Sequence, residues 1–238
     1  MRRVVAVNLS PILLLALERD SSLVDAVKVS EFSDPQYVQT CKELAPYMHL
    51  LLHGVCQCSD WGRFRPPPPG NPYFRESIDL SALKTALDVA KPDYISVHLE
   101  RTVVGTVMGD EREEVRASGP AHDSERFLST LVEDVEFLRS LTRLPVHLEN
   151  TYARYAKESK YRDTGTYVSE PSFIAEAVRS TGSRFLLDIA HAQVAAWYRN
   201  QAVEAYLAHL PMESVDEVHV CAPGDGRWRA PRSACRAR

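Results

Sequence analysis

The sequence predicts an α/β protein built as a TIM-type (β/α) barrel. Short apolar runs alternate with amphipathic stretches along the chain, and polar side chains gather where the apolar runs end. Strands of a parallel sheet that is covered by helices are buried on both faces, so they are continuously apolar. A length of 238 residues, 45% of them hydrophobic, suits one barrel domain.

Seven segments have the composition of buried strands. They are short and rich in valine, leucine and isoleucine, and each is followed by a polar or helical stretch. The predicted strands cover residues 3–8, 24–29, 48–52, 94–99, 145–148, 185–189 and 215–220. Repeated alternation of a strand with a helix implies a parallel sheet. No glycine-rich turn follows the first strand, which argues against a dinucleotide-binding fold.

Six amphipathic segments separate these strands and are predicted to be helices. Several carry capping signals: Asp34 precedes Pro35 at the start of the second helix, Ser124 starts the fourth, and Gly182 ends the fifth. The predicted helices cover residues 11–19, 34–44, 80–90, 124–141, 171–180 and 193–209.

Three segments are too long or too polar to be simple connections. Residues 54–75 include four consecutive prolines and are predicted to form a lid or a binding loop. Residues 102–121 are polar and charged, and the stretch that follows the fifth strand up to residue 168 is rich in Tyr, Lys and Arg. We expect the first two to lie on the same side of the barrel.

The end of the chain departs from the alternation. No apolar run follows residue 220, so the eighth β/α unit is predicted to be missing or incomplete. We expect a barrel domain over residues 1–222 and a basic, disordered tail over residues 223–238. The tail resembles a frameshifted or replaced terminus, and the functional alternative is a basic segment that binds an acidic peptide.

Charge and cysteine content exclude several classes of function. The net charge of −4 gives no reason to expect nucleic acid or an anionic membrane as partner, and no apolar run approaches the roughly 18 residues of a membrane span. The apolar run near the N-terminus is interrupted by Asn8 and Pro11, which favours a first strand over a signal peptide. Five cysteines without framework spacing indicate a reducing compartment, so we expect a cytoplasmic protein.

Ionisable residues cluster at the predicted strand ends. The carboxyl ends of barrel strands converge on one face, and buried charges are costly unless they are paired or bind a metal. Nitrogen and oxygen ligands without thiolates suit iron, manganese or zinc, and the size of the set indicates more than one ion. The candidate metal ligands are His53, His98, Glu149, Asp188, His191, Glu217 and His219.

Other polar residues are weaker candidates. Cys56 and Cys58 have the wrong spacing for a zinc knuckle and are predicted to be ordinary thiols. Lys28, at the end of the second strand, is either a substrate-binding cation or a buried partner of a carboxylate. The remaining histidines are predicted to face away from the centre: His49, His122, His147 and His209.

These motifs resemble one enzyme family over residues 4–222. The segments that carry the resemblance are Val5-Ala-Val-Asn-Leu-Ser10, His53-Gly54, Ser96-Val-His-Leu99, Leu148-Glu-Asn-Thr-Tyr152, Leu186-Leu-Asp-Ile-Ala-His191 and Glu217-Val-His219. They are similar to the multinuclear non-haem iron-dependent oxidative enzymes, which include enzymes that modify cysteine in peptide natural products such as methanobactin.

The resemblance implies a xylose-isomerase-like barrel that holds two or three irons. It also implies O₂-dependent oxidation of a cysteine in a ribosomally made precursor peptide, often presented by a partner protein. By position, it assigns the seven candidate ligands to the metals, and it makes Asn150 a ligand or a neighbour of one. The divergent end of the chain leaves fewer metals as an alternative.

Two other functions fit the same residues. A divalent-metal sugar isomerase or epimerase, or a phosphodiesterase, could use zinc or manganese on this barrel, because a fold does not determine a function. An inactive, truncated scaffold is the non-enzymatic alternative.

Overall fold

A row of parallel strands forms the centre of the molecule. The computed structural model describes residues 5–30, 32, 34–54, 69–71, 74–100, 106–109, 112–115, 124–151 and 166–220. The strands in this part of the chain are β1 (Ala6–Asn8), β2 (Ala26–Val29), β3 (His49–His53), β4 (Ile95–His98), β5 (Thr106–Gly109), β6 (Arg112–Val115), β7 (Val146–Glu149), β8 (Arg184–Asp188) and β9 (Val215–His219).

Seven of these strands form one sheet in the order β1-β2-β3-β4-β7-β8-β9, and all of their pairings are parallel. The sheet curls, because Lys28 on β2 contacts Glu217 on β9 although β3, β4, β7 and β8 lie between those strands in the row. This confirms the predicted barrel architecture. Within the described residues the row begins at β1 and ends at β9, and no eighth parallel strand is present.

Helices cover the outside of the curled sheet. They are α1 (Pro11–Arg19), α2 (Pro35–Leu44), α3 (Leu80–Ala90), α4 (Ser124–Thr142), α5 (Pro171–Thr181), α6 (Ile189–Tyr198) and α7 (Val203–Ala208). Two of the predicted end signals are in place: the Asp34 carboxylate accepts a hydrogen bond from the Gln36 backbone N–H, and Gly182 ends α5 with a positive φ of 60°. Ser124 is the first residue of α4.

The two faces of each strand differ because side chains alternate along it. One set, which includes Val27, Leu52, Val97 and Leu148, packs with the helices in a single hydrophobic core. The other set points into the barrel and is largely polar. Its members in the central and later strands include Ser96, His98, His147, Glu149, Asp188, Glu217 and His219.

Two predicted elements differ from the structure. Residues 102–121 contain an antiparallel hairpin of β5 and β6, which weak alternation in a charged segment did not reveal. The predicted helix over residues 193–209 is two helices, α6 and α7. Asn200 breaks it with a φ of 56°, a left-handed conformation that Asn tolerates better than most residues. In addition, α6 starts at Ile189, because Asp188 is at once the end of β8 and the N-cap of the helix.

Part of the predicted lid lies against α4. Gly70 adopts a φ of 89°, and its backbone N–H donates to the buried Asp134 carboxylate over 2.8 Å. Arg75 binds the other oxygen of Asp134 over 2.7 Å. Most of this segment, and the whole tail over residues 223–238, lie outside the described residues. No helix in the described part of the chain is long and apolar enough to cross a membrane.

We expect Gly70→Ala to destabilise the fold more than Gly182→Ala. Both positions have positive φ, where an alanine costs about 1–2 kcal/mol. A Cβ at Gly70 would also lie 2.8 Å from the buried Phe127 ring, whereas nothing lies within 4 Å of one at Gly182. Overpacking of that kind adds about 1–3 kcal/mol. Denaturant unfolding of both variants measures the difference, and equal losses would contradict this packing.

Candidate metal centre

The carboxylate of Glu149 lies at the centre of the barrel's polar face. Glu149 ends β7, the fifth of the seven strands in the described sheet, and is 1% exposed. Its Oε1 lies 3.4 Å from His98 Nε2, 3.4 Å from His191 Nδ1 and 3.6 Å from His219 Nδ1. Its Oε2 lies 3.5 Å from His53 Nε2. One buried carboxylate is therefore surrounded by four imidazoles from β3, β4, α6 and β9.

The described residues form two groups that could hold a metal ion. The first is His53, His98 and Glu149, and the second is Glu149, Asp188 and His219, so Glu149 belongs to both. In the second group, His219 Nδ1 lies 3.7 Å from Asp188 Oδ2. A carboxylate shared between two groups can bridge two ions.

Two observations test whether these residues fit a metal. Glu149 Oε2 is buried and has no hydrogen-bond partner among the described residues, an arrangement that is costly unless a cation is bound. Ligand atoms that each lie about 2.1 Å from one ion are about 3.0 Å apart at a right angle and about 3.4 Å at a tetrahedral angle. The separations around Glu149 lie at or just above the upper end of that range, so the residues fit.

Neighbouring polar groups orient two of the imidazoles. His191 Nδ1, which lies 3.4 Å from Glu149 Oε1, also lies 2.9 Å from the Asn150 carbonyl oxygen; because that oxygen can only accept, Nδ1 donates to it. His53 Nδ1 lies 2.8 Å from Ser96 Oγ, which leaves Nε2 facing Glu149. Contacts of this type hold metal-binding imidazoles in one orientation.

The Asn150 amide joins β7 to β8. Its Nδ2 donates to the Asp188 carbonyl over 2.9 Å, and its Oδ1 accepts from the Asp188 N–H over 2.8 Å. Asp188 Oδ1 in turn accepts from the His191 N–H over 2.7 Å and caps α6. Asn150 Nδ2 and Oδ1 therefore both help to position Asp188, while Asp188 Oδ2 remains directed toward His219.

The electrostatics of the centre favour a bound cation. Burial would raise the pKa of Glu149, but His98 and hydrogen bonds from the surrounding imidazoles hold it well below its usual value. Burial would lower the pKa of His219, yet Asp188, Glu149 and Glu217 raise it to about 11. Burial and the nearby His98 lower the pKa of His53 to about 3, which keeps this ring neutral. Protonation of His219 thus helps to balance the carboxylates, and a metal at Nδ1 would displace the proton on that nitrogen.

Glu217 lies beside the two groups. Its Oε1 is 2.7 Å from Lys28 Nζ and 3.1 Å from His219 Nε2, and its Oε2 accepts from the Tyr94 hydroxyl over 2.6 Å. Lys28 is thus the buried partner of a carboxylate, one of the two roles that the sequence left open. Burial opposes the effect, but His219 and Lys28 lower the pKa of Glu217 to about 2.

The structure brings together most of the predicted ligands. Five belong to the two metal groups, His191 adjoins them, and Asn150 and Glu217 contact residues of those groups.

The orientation predicted for His147 is wrong: it lies on the same face of β7 as Glu149, buried and stacked on Tyr94 with ring centroids 4.0 Å apart. His49 and His209 lie away from the centre. Cys56, Cys58 and His122 lie outside the described residues.

Two residues of the site were missed. Ser96 contacts His53, and Tyr94 contacts Glu217. Both precede His98 at two-residue spacing, so the strand period places all three on one face. The two-residue period of the strand could have identified Tyr94 and Ser96 from the sequence.

Sequence comparisons find relatives among the UPF0276 proteins. A UPF0276 protein of Paraburkholderia phytofirmans is 27% identical over 181 residues, 75% of this chain and 51% of that protein. A UPF0276 protein of Bordetella pertussis is 35% identical over 87 residues, 36% of this chain and 27% of that protein. The chain thus spans about half the length, or less, of the curated relatives it matches.

The solved structure of a D-tagatose 3-epimerase-like protein matches 92% of this chain and 76% of its own, with a TM-score of 0.53 and 18% identity. That likeness shows the barrel fold. The model of a sequence family, described as the RiPP precursor modification enzyme MbnB/TglH/ChrH, matches residues 72–228. Because this match spans more than half of the chain, the protein belongs to the MbnB/TglH/ChrH family of RiPP precursor modification enzymes.

Proposed function

We propose that this protein is a non-haem iron-dependent oxidative enzyme that modifies cysteine in a ribosomally made precursor peptide, using O₂. The observation that carries the proposal is the buried Glu149 carboxylate, shared by two groups of potential metal ligands and surrounded by four imidazoles. Membership of a family of RiPP precursor modification enzymes supports a peptide substrate. A peptide-presenting partner protein and a cytoplasmic location are part of the same proposal.

The donor set is compatible with iron. His53, His98 and Glu149 are two imidazoles and one carboxylate, the set found in non-haem iron(II) sites with open coordination positions. We assign the first ion to these residues and the second to Glu149, Asp188 and His219, with His191 as a further ligand. When bound, iron would supply the redox chemistry that O₂-dependent oxidation of a thiol requires.

The protein's own residues hold and shield this site. Ser96 and the Asn150 carbonyl orient the His53 and His191 rings, and the contact with Ser96 holds His53 Nε2 toward Glu149 before metal enters. Leu51 and Leu186 are buried on the inner face of their strands and exclude water below the site. The ligands end their strands, so the substrate cysteine would approach from the carboxyl-end face of the barrel.

Metal analysis of anaerobically purified protein separates this proposal from its alternatives. Stoichiometric iron, with ferric absorption after exposure to air, supports the oxidative function. Zinc or manganese in place of iron would favour a divalent-metal isomerase, epimerase or phosphodiesterase. Folded protein without stoichiometric metal would favour a binding scaffold.

We expect Glu149→Ala and His98→Ala to reduce bound metal to roughly half of the native content or less, because a buried site with a lost ligand holds its ion weakly. The exposed residues Glu204 and His209 on and after α7 supply matched controls, Glu204→Ala and His209→Ala. Elemental analysis of the four variants measures the effect. Unchanged metal in both site variants would contradict the ligand assignment.

Ser96→Ala should weaken metal binding while leaving every ligand in place. The serine hydroxyl holds the His53 ring, and removing an orienting contact lowers metal affinity by about 10–100-fold. Ser140→Ala on the exposed face of α4 is the control, since that hydroxyl contacts only a helix carbonyl among the described residues. Competition with a metal chelator measures both affinities, and equal values would rule out the positioning role of Ser96.

A Cys56→Ser and Cys58→Ser double variant should keep its metal and its activity. The histidine and carboxylate set is large enough to coordinate the ions without thiolates. Elemental analysis and turnover of a precursor peptide test this together. Loss of either would assign the thiols to the site.

A further inference from the structure

A buried lysine lies inside the barrel beside the two metal groups. Lys28 on β2 is 3% exposed, and its Nζ lies 2.7 Å from Glu217 Oε1 and contacts His219 Nε2. Glu217 and His219 belong to β9, on the far side of the curled sheet. The ammonium group therefore binds the Glu217 carboxylate across the barrel interior and lies against the edge of the His219 ring.

The two ring nitrogens of His219 face different surroundings. Nδ1 lies 3.6 Å from Glu149 and 3.7 Å from Asp188, the other members of its metal group. Nε2 faces Glu217 and Lys28. Glu217 Oε1 and His219 Nε2 are 3.1 Å apart, within the range of about 3.0–3.4 Å for two atoms bound to one ion. The lysine ammonium contacts both atoms, so an ion bound to them would occupy the same space.

We propose that the Lys28 ammonium takes the place of a third cation between Glu217 and His219, so that this protein's centre holds two metal ions. Glu217 is then a positioning residue. With a metal on Nδ1, His219 Nε2–H donates to Glu217, an arrangement that fixes the ring of a metal-bound histidine. Lys28 and the Tyr94 hydroxyl satisfy the two Glu217 oxygens.

The inference rests on the proposed function only in requiring that the site binds divalent metal. It is tested by counting Mn²⁺ ions per chain after anaerobic loading with Mn²⁺ alone and removal of excess. We expect about two in the native protein and about three in Lys28→Glu, because the substitution removes the competing ammonium and adds a carboxylate ligand. Lys84→Glu, the same charge change at an exposed lysine on α3, should leave about two.

Two further variants keep the test informative if Lys28→Glu misfolds. The double variant Lys28→Glu with Glu217→Gln should return to about two ions, since it loses a ligand of the third. Lys28→Gln replaces the ammonium with a neutral side chain of similar length. Its melting temperature should rise further with Mn²⁺ than that of the native protein, because one more ion binds the folded state.

The outcomes separate this inference from the proposed function. The role of Lys28 would be overturned by three Mn²⁺ ions in the native protein. It would also be overturned by two ions in Lys28→Glu if Mn²⁺ raises the melting temperature of Lys28→Gln no further than that of the native protein. Both results hold even if native iron supports an oxidative enzyme. A change from two ions to three would uphold it even if the purified protein contains zinc. Protein that binds no Mn²⁺ would overturn the inference, and protein that also purifies without iron would overturn both.

Discussion

The structure depends on one buried carboxylate whose charge must be balanced from several strands at once. Glu149 is enclosed at the end of β7, and its Oε2 has no hydrogen-bond partner in the described part of the chain. An uncompensated buried charge costs several kcal/mol, so the surrounding imidazoles stabilise the fold by balancing Glu149, and a metal bound among them would do the same. Because the imidazoles come from β3, β4, α6 and β9, the sheet must curl to deliver them.

A second set of contacts holds that curl from the inside. Lys28 joins β2 to β9 through Glu217, and Tyr94, just before β4, donates to the same carboxylate. His147 stacks on Tyr94 one layer below Glu149. These contacts link strands that are distant in the row. They also hold both Glu217 oxygens in place. Because Glu217 Oε1 contacts His219 Nε2, the other ring nitrogen, Nδ1, is directed toward Glu149 and Asp188.

Much of the architecture and most of the centre could be read from the linear pattern. Seven apolar runs predicted all seven parallel strands, because such strands are buried on both faces whatever surrounds them. Polar residues at the ends of those runs predicted the cluster of ionisable side chains, because the carboxyl ends of parallel strands lie at one edge of the sheet. The hairpin of β5 and β6 and the break at Asn200 were not predicted, because local propensities there are weak.

The sequence by itself determined which residues reach the barrel's polar face: strand order and two-residue periodicity place His53, His98, Glu149, Asp188 and His219 there. Only the tertiary structure decided their roles. Whether Glu217 faces a metal position or an ammonium depends on Lys28. Lys28 lies 189 positions earlier in the chain (217 − 28), so no local sequence pattern relates the two residues. Likewise, the Asn150 amide is committed to the Asp188 backbone only because β7 and β8 are neighbours. Pairwise contacts across a curled sheet depend on its curvature, which arises from packing of the whole chain.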